Sequence, residues 1–510
     1  MNQNLDPPAA KGAPRIIPRS EHPVSRSNIS PNALRVLYRL KEAGFEAFLV
    51  GGCVRDIILG RHPKDFDVAT DALPEQVRRL FRNCRLVGRR FRLAHIVYGR
   101  DVIEVATFRA ASAPPPSEEP VPGREEDEAE LLEAELASGE VEPFEAVTPL
   151  EATQPLEVEQ IGSAPPEAGR TSGGARHRVQ DDHGRLLRDN MYGSIDEDVW
   201  RRDFTVNALY YNIADFSIWD YVGGLADIQA RCLRLIGDVE TRYREDPVRM
   251  LRAARFEAKL GFEIDAASAK PIADLRTLLA SVPPARLFDE TAKLFLTGHG
   301  AESFRVLRQR GLFAALFPAV DAYLEKHPGS LVEELLVQGL RSTDRRVEED
   351  KPVTPTFLYS LLLYGPIAAE IETLPPQRWH EPQAIVGACD RALRDAQQRV
   401  SIPRRIALGV REMYALQPRL EGPRGRRALR LLEQPRFRAA YDLLTLRAAL
   451  GLADPGTAQW WTALQEAAPE DREQMVDAVG GVGSTRATGG NGAAGLSTPR
   501  RRRRRSRGGG

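Results

Sequence analysis

The chain has 510 residues, and its 71 Lys+Arg balance 71 Asp+Glu to a formal net charge of zero. With 42% hydrophobic and 28% charged residues it has a globular composition, and its length suits about three or four domains. Four scattered cysteines (Cys53, Cys84, Cys232, Cys389) without a C-x-x-C pair argue against a zinc site or a disulfide framework and suit a reducing cytoplasm. The most apolar stretch, near 357–369, falls short of the roughly 18 residues a membrane helix needs, and the first 20 residues lack the apolar core of a secretory signal.

In chain order, 1–30 reads as unstructured. Residues 32–43 carry apolar side chains at helical spacing and end at Gly44. A strand over 46–50 runs into Gly51-Gly52, a short helix covers 54–59, and a second strand covers 66–70. A helix over 74–81 precedes a hairpin of 94–98 with 101–108. Residues 111–170 hold 16 acidic and 2 basic residues and read as a disordered acidic insertion. Strand material returns at 204–212 and 217–221, and from 227 the pattern is helical almost to 461. The last 30 residues carry 8 Arg, no acid and many glycines, and read as a disordered basic tail, suited either to an anionic partner such as RNA or to a solubilising end with no defined partner.

The chemistry concentrates after Gly51-Gly52, in Lys64-Asp65-Phe66-Asp67-Val68. Alternate side chains of a strand share a face, so Asp65 and Asp67 point together while Phe66 and Val68 face the core. Two such carboxylates repel each other and invite Mg²⁺, which keeps several waters and is completed by phosphate oxygens. Two ions held this way can activate a hydroxyl nucleophile and stabilise a pyrophosphate leaving group. A D-x-D on an edge strand is by itself more often a solvated pair. The glycines strengthen the case, because Gly51 and Gly52 let backbone N–H groups approach a triphosphate while Arg55 clamps it.

Two further clusters follow. Arg201-Arg202-Asp203-Phe204-Thr205-Val206-Asn207 sets a third carboxylate beside two cations and an amide. Arg244-Glu245-Asp246-Pro247 opens a helix on which Arg249, Arg252 and, less closely, Arg255 share one side. An Asp with a neighbouring Arg can read a base edge, accepting from an amino group while the guanidinium donates to a ring nitrogen. Capping and charged loops are the bland alternatives for each cluster taken alone. Residues 401–451, rich in arginine with Tyr414, Phe437 and Tyr441 among them, read as a surface that binds RNA backbone with little sequence preference, the alternative being solvated helix faces whose arginines pair with nearby Glu.

The succession GGCVRD, KDFDVAT, RRDFTVNALYY and RYREDPVRMLRAARF resembles the class II nucleotidyltransferases of the DNA polymerase beta superfamily, which contains bacterial poly(A) polymerases and CCA-adding tRNA nucleotidyltransferases. The resemblance spans roughly 32–296. It implies an α+β class, with an N-terminal polymerase-beta-like head followed by an all-helical half. Asp65 and Asp67 are then the metal ligands of two Mg²⁺ ions and Asp203 the third catalytic carboxylate, with Glu104 on the 102–106 strand as second choice. Gly51, Gly52, Arg55, Arg202 and Asn207 meet the nucleotide, and Asp246, Arg249, Arg252 and Arg255 meet base and phosphates. The stretch 86–95, with its Gly88-Arg89-Arg90-Phe91 core, the segment 437–444 and the arginine-rich tail resemble bacterial poly(A) polymerases in particular.

The expected division is a disordered N-terminus at 1–30, a head at 31–226 with the acidic insertion at 111–180, a nucleotide- and RNA-binding neck at 227–300, an RNA-binding body at 301–475 and a disordered tail at 476–510. The activity implied is cytoplasmic, template-independent addition of AMP from ATP to RNA 3′ ends. RNA is bound with low sequence specificity, proteins of RNA decay are possible tail partners, and no membrane is involved. The alternatives are a CCA-adding enzyme and a catalytically silent RNA-binding adaptor.

Overall fold

The computed structural model describes residues 12–88, 92–110, 178–180, 186–189, 192–422 and 425–482. The acidic run up to 177, the Gly88-Arg89-Arg90-Phe91 core beyond its glycine, and the arginine tail lie outside these residues.

The first helix, α1 (Pro31–Glu42), starts where Ser30 Oγ accepts from Ala33 N at 3.1 Å and Pro31 sets the first turn. Its apolar stripe, Val36, Leu37 and Leu40, is fully buried. Around it run β1 (Arg15–Ile17), β2 (Ala47–Val50), β3 (Asp67–Thr70), β4 (Cys84–Val87), β5 (Leu93–Tyr98) and β6 (Asp101–Thr107), with the helix α3 (Pro74–Leu80) between β3 and β4. A separate antiparallel pair, β7 (Arg178–Gln180) and β8 (Leu186–Asp189), closes the region expected to be the insertion. Next come β9 (Leu209–Asn212) and β10 (Ile218–Asp220). Eight of these strands form one sheet of order β1-β10-β9-β2-β3-β6-β5-β4. Within it only β3 and β6 are parallel neighbours, and their register sets Asp67 directly beside Glu104.

Four local expectations are corrected, the first at the tail: 476–482, expected to be disordered, complete a helix over Pro469–Val482 in which Val476 is 1% exposed and packs into a core. Part of the segment expected to be unstructured at 1–30 is ordered, because β1 adds to the sheet edge along β10 and buries Ile17, while Val24 and Ile29 are buried behind it. The strand expected over 204–212 begins only at Leu209. Residues Thr205–Asn207 form a 3₁₀ turn in which Asn207 N–H and Ala208 N–H donate back to Phe204 O and Thr205 O. The run expected to be helical from 227 contains a short parallel pair, Cys232–Leu233 with Glu263–Ile264.

Beyond the sheet the fold is helical, so the protein has an α+β head followed by a helical remainder. The chain divides into two compact units, 1–366 with 391–407, and 367–390 with 408–510. The second has its own core, in which Trp461 is 1% exposed, lies 5.3 Å from Phe437 and donates its Nε1–H to Leu420 O at 2.9 Å.

Candidate active site

β2 leads into Gly51, whose φ of 79° and ψ of −138° belong to a region that only glycine enters without strain. A Cβ there would lie 3.7 Å from Asp67 Oδ2 and 3.8 Å from Arg202 Nη1, so the glycine keeps a narrow lane between a carboxylate and a guanidinium. The short helix α2 (Gly52–Ile58) then carries Arg55 inward to 2% exposure.

Asp65 and Asp67 are both exposed at the sheet's end, while Phe66 and Val68 are buried, which is the alternation the sequence predicts. Although the Asp67 side chain reaches solvent, it is set among close neighbours. Burial pushes its carboxyl up to about 6, with Glu104 and Asp65 adding to the rise and Arg202 opposing it. Glu104, partly exposed, has His95 Nε2 3.6 Å from Oε2 on its other flank. Among the described residues no three His, Cys, Asp or Glu groups converge as a ready-made metal cage. Two open carboxylates with a third in register nonetheless fit Mg²⁺, which needs few protein ligands and takes the rest from water and phosphate.

Behind this mouth, α4 (Ile195–Arg201) delivers the Arg202–Asn207 segment. Arg202 donates to Tyr210 Oη at 2.7 Å and to Asp198 Oδ2 at 3.1 Å, so its fork is fixed before any ligand arrives. Burial disfavours its charge, but Tyr210 and Asp198 more than offset that and hold the guanidinium protonated. Arg55 bonds Asp56 Oδ1 at 2.7 Å and Asn207 Oδ1 at 2.5 Å. Asn207 Nδ2 in turn faces Asp203 Oδ1 at 3.4 Å.

Asp203 itself is clamped by Arg252, Nη2 at 2.5 Å and Nε at 2.7 Å from Oδ2, and accepts from Phe204 N–H at 2.8 Å. Burial pushes Asp203 up, but Arg252, with help from Phe204 N–H and Asn207, holds it below the ordinary carboxylate range. Its charge is therefore neutralised on the spot, and the carboxylates whose charge Asp67 feels are Glu104 and Asp65.

The third wall comes from α5 (Val239–Glu245) and α6 (Val248–Leu260). Arg242 donates to the carbonyls of Arg201 and Arg202 at 2.8 and 2.7 Å, tying α5 to the Asp203 segment. Arg249 donates to Arg242 O at 2.8 Å. Arg55, Arg252 and Arg255 surround the Phe256 ring, with guanidinium carbons 5.6, 5.7 and 4.7 Å from its centroid. Burial lowers the pKa of Arg255 and Arg252 lowers it further, with Glu290 and Asp203 opposing the shift. Asp246 sits at the junction of α5 and α6, Oδ2 2.8 Å from Arg286. All thirteen residues singled out from the sequence thus line one region. The reading of residue type alone missed Tyr210, Asp198, Arg242, Phe256 and Arg286, and only the periodic RYRED–RMLRAARF pattern hinted at two of them.

Comparison with known proteins places this geometry. Three family models match the chain: "Poly A polymerase head domain" at 47–137 and 152–234, "Probable RNA and SrmB- binding site of polymerase A" at 261–324, and "Polymerase A arginine-rich C-terminus" at 377–508. Poly(A) polymerase I of Salmonella typhi is 43% identical over 91% of this chain and 88% of its own length. The chain belongs to the poly(A) polymerase family. A CCA-adding enzyme of Lactobacillus helveticus is 28% identical over 54% of this chain and 52% of its own. A solved structure described as "tRNA-processing enzyme (apo form I)" shares the fold, with a TM-score of 0.51 at 19% identity over 90% of this chain and 98% of that one.

As in other members of the poly(A) polymerase family, the C-terminal part is arginine-rich, but its described portion is not a bare basic face. Arg426 pairs with Asp477, Arg436 with Glu412, Arg438 with Asp442, Arg447 with Glu421, and Arg411 with Asp390. Tyr414, Phe437 and Tyr441, which the sequence sets among the arginines, are 5%, 4% and 7% exposed and serve the core, not base stacking. No helix among the described residues is long and apolar enough to cross a membrane.

Proposed function

We propose that the protein is a template-independent polynucleotide adenylyltransferase that adds AMP from ATP to RNA 3′ ends in the bacterial cytoplasm. The observation that carries this reading is the Asp65/Asp67 pair, open to solvent opposite a Gly51 lane backed by the fixed Arg202 and Arg55. That is a carboxylate mouth for a metal–triphosphate with cations behind it.

The RNA 3′ oxygen attacks the α-phosphorus in line. A new phosphodiester bond forms as the α–β anhydride bond breaks, pyrophosphate departs, and the hydroxyl proton leaves to solvent through the carboxylate cluster. Asp65 and Asp67 would hold two Mg²⁺ ions, whose chemistry there is activation of the hydroxyl and neutralisation of the pyrophosphate. Arg55 and Arg202, preset by Asn207, Tyr210 and Asp198, orient the phosphates without reorganising when ATP binds. Gly51 and Gly52 offer backbone N–H donors. Asp246 accepts from the adenine amino group beside Arg249, while Arg252 and Arg255 add charge near the Phe256 ring.

For the third carboxylate we favour Glu104 over Asp203. Strand register sets it beside Asp67, whereas Asp203 is committed to Arg252 and acts by positioning it. Residues 31–226 form the catalytic head, 227–300 a neck that reads nucleotide, 301–475 a body that binds RNA backbone, and the tail a basic arm for RNA or for proteins of RNA decay.

A product-length gel with Mg²⁺ tests the reading, using a generic RNA or a tRNA lacking its 3′ end, with ATP alone, CTP alone or both. Long ladders with ATP on either RNA are expected, and Asp65→Ala should abolish them. A stop after three additions on tRNA only, requiring CTP, would instead mark a CCA-adding enzyme. No extension at all would mark an RNA-binding adaptor.

A further inference from the structure

The base-reading carboxylate is not free to swivel. Asp246 Oδ2 accepts from Arg286 Nη2 at 2.8 Å, and its Oδ1 accepts from Val248 N–H at 3.3 Å, so each oxygen has its own donor. Arg286 stands at the start of helix α7 (Pro284–Phe295), which packs against α6. The start of α7 is itself anchored, because Pro284 O accepts from Ser401 N–H at 3.1 Å. One turn further, at i+4 and therefore on the same side, Glu290 is only 5% exposed. Its Oε1 meets Lys293 at 3.0 Å while Oε2 has no partner, and its charge acts on Arg252 and Arg255 of α6. One face of α7 thus addresses both the base-reading carboxylate and the arginine cluster.

We propose that Arg286 is a specificity-determining positioning residue, which locks the Asp246 carboxylate at the depth of a purine amino group and so rejects CTP. This rests on the adenylyltransferase reading above. The physical argument is geometric. Adenine and cytosine both present an exocyclic amino group, so a carboxylate alone cannot tell them apart. The adenine amino group lies on the second ring, farther from the glycosidic bond than that of cytosine. A carboxylate held at one depth matches only one of the two, whereas a mobile one follows either. Arg286, half exposed, contributes this by holding Asp246 and not by touching the substrate.

Single-nucleotide addition to a generic RNA, measured separately with ATP and CTP, tests the proposal. Arg286→Ala should raise the ratio of kcat/KM for CTP over ATP by about tenfold or more, the size of one charge-assisted bond lost from an orienting pair. The KM for ATP should rise more than kcat falls. Arg286→Lys, which keeps the charge but loses the planar fork, should recover part of the selectivity. In the background of Asp246→Asn, adding Arg286→Ala should change the ratio little further, because the two act as a unit. An unchanged ratio, or a parallel loss with both nucleotides, in a wild-type protein that adds AMP would overturn this proposal alone. A wild type that adds no AMP would overturn the functional reading beneath it.

Discussion

Arg55 and Asn207, 152 residues apart in the chain, meet in a buried hydrogen bond of 2.5 Å that joins two separate sequence motifs. Asn207 accepts from the guanidinium and turns its amide N–H₂ toward Asp203, so the polar chain runs Asp56, Arg55, Asn207, Asp203, Arg252. Arg55 is 2% exposed, and without the amide its fork would lose a buried acceptor.

Asn207→Ala should therefore cost about 1–3 kcal/mol of stability, the usual penalty for an orphaned buried donor. It should also raise the KM for ATP by roughly tenfold or more through misplacement of Arg55. Thermal unfolding together with ATP-dependent kinetics separates the two effects, and a variant neutral in both would show the bridge to be incidental.

The two candidate third carboxylates behave differently under substitution. Glu104→Gln should lower kcat by about 10²-fold or more, as removal of a charge-stabilising group does, with little change in Tm because the side chain is partly exposed. Asp203→Asn removes the counter-charge of Arg252, whose side chain is still about a third exposed, so it should lower stability by only about 1–2 kcal/mol and act on ATP binding. Equal kcat losses with unchanged Tm in both would contradict this assignment.

Acidification should affect the mouth first. The folded-state pKa of Asp67 is raised to about 6, above that of an unfolded Asp. Its ionisation therefore costs folding stability as pH rises from the ordinary carboxylate range, and the cost is complete above about 6. Cation binding needs the ionised form, so at limiting Mg²⁺ the rate should fall as pH drops through about 6, and more Mg²⁺ should move the midpoint lower. A rate unchanged to pH 5 at limiting Mg²⁺ would remove Asp67 from the metal site.

Gly51→Ala places a Cβ where φ is 79° and ψ is −138°, a conformation costing of order 1–3 kcal/mol for a residue with a side chain. It would also narrow the lane between Asp67 and Arg202. Loss of ATP binding without loss of RNA binding is expected, measured by nucleotide and RNA titrations of the same protein.

The second unit offers a test of folding separate from chemistry. Trp461→Ala removes the largest buried side chain of that core and its bond to Leu420, at a cost of about 3–5 kcal/mol. A Tm within error of the parent would show that this core contributes little.

Much of this protein could be read from short-range pattern. Exposure alternates with burial through Asp65, Phe66, Asp67 and Val68 as a period of two requires, a pattern that depends only on neighbours, although the strand itself begins only at Asp67 and Asp65 precedes it. Helical spacing set Arg249, Arg252 and Arg255 on one helix for the same reason. The order of the four motifs was enough to suggest the family. What needed the tertiary structure was every choice between groups distant in sequence. The parallel register of β3 and β6, not residue type, sets Glu104 beside Asp67, and an ion pair across 49 residues commits Asp203 to Arg252. Tyr414, Phe437 and Tyr441 read as binding aromatics beside arginines, yet burying such rings stabilises a core more than exposing them, and they turn inward. Arg286 carried no local signal at all, since its meaning lies in the packing of one helix against another that begins 36 residues earlier. Periodicity is local, but the partner of a charge is decided by which surfaces the fold brings together.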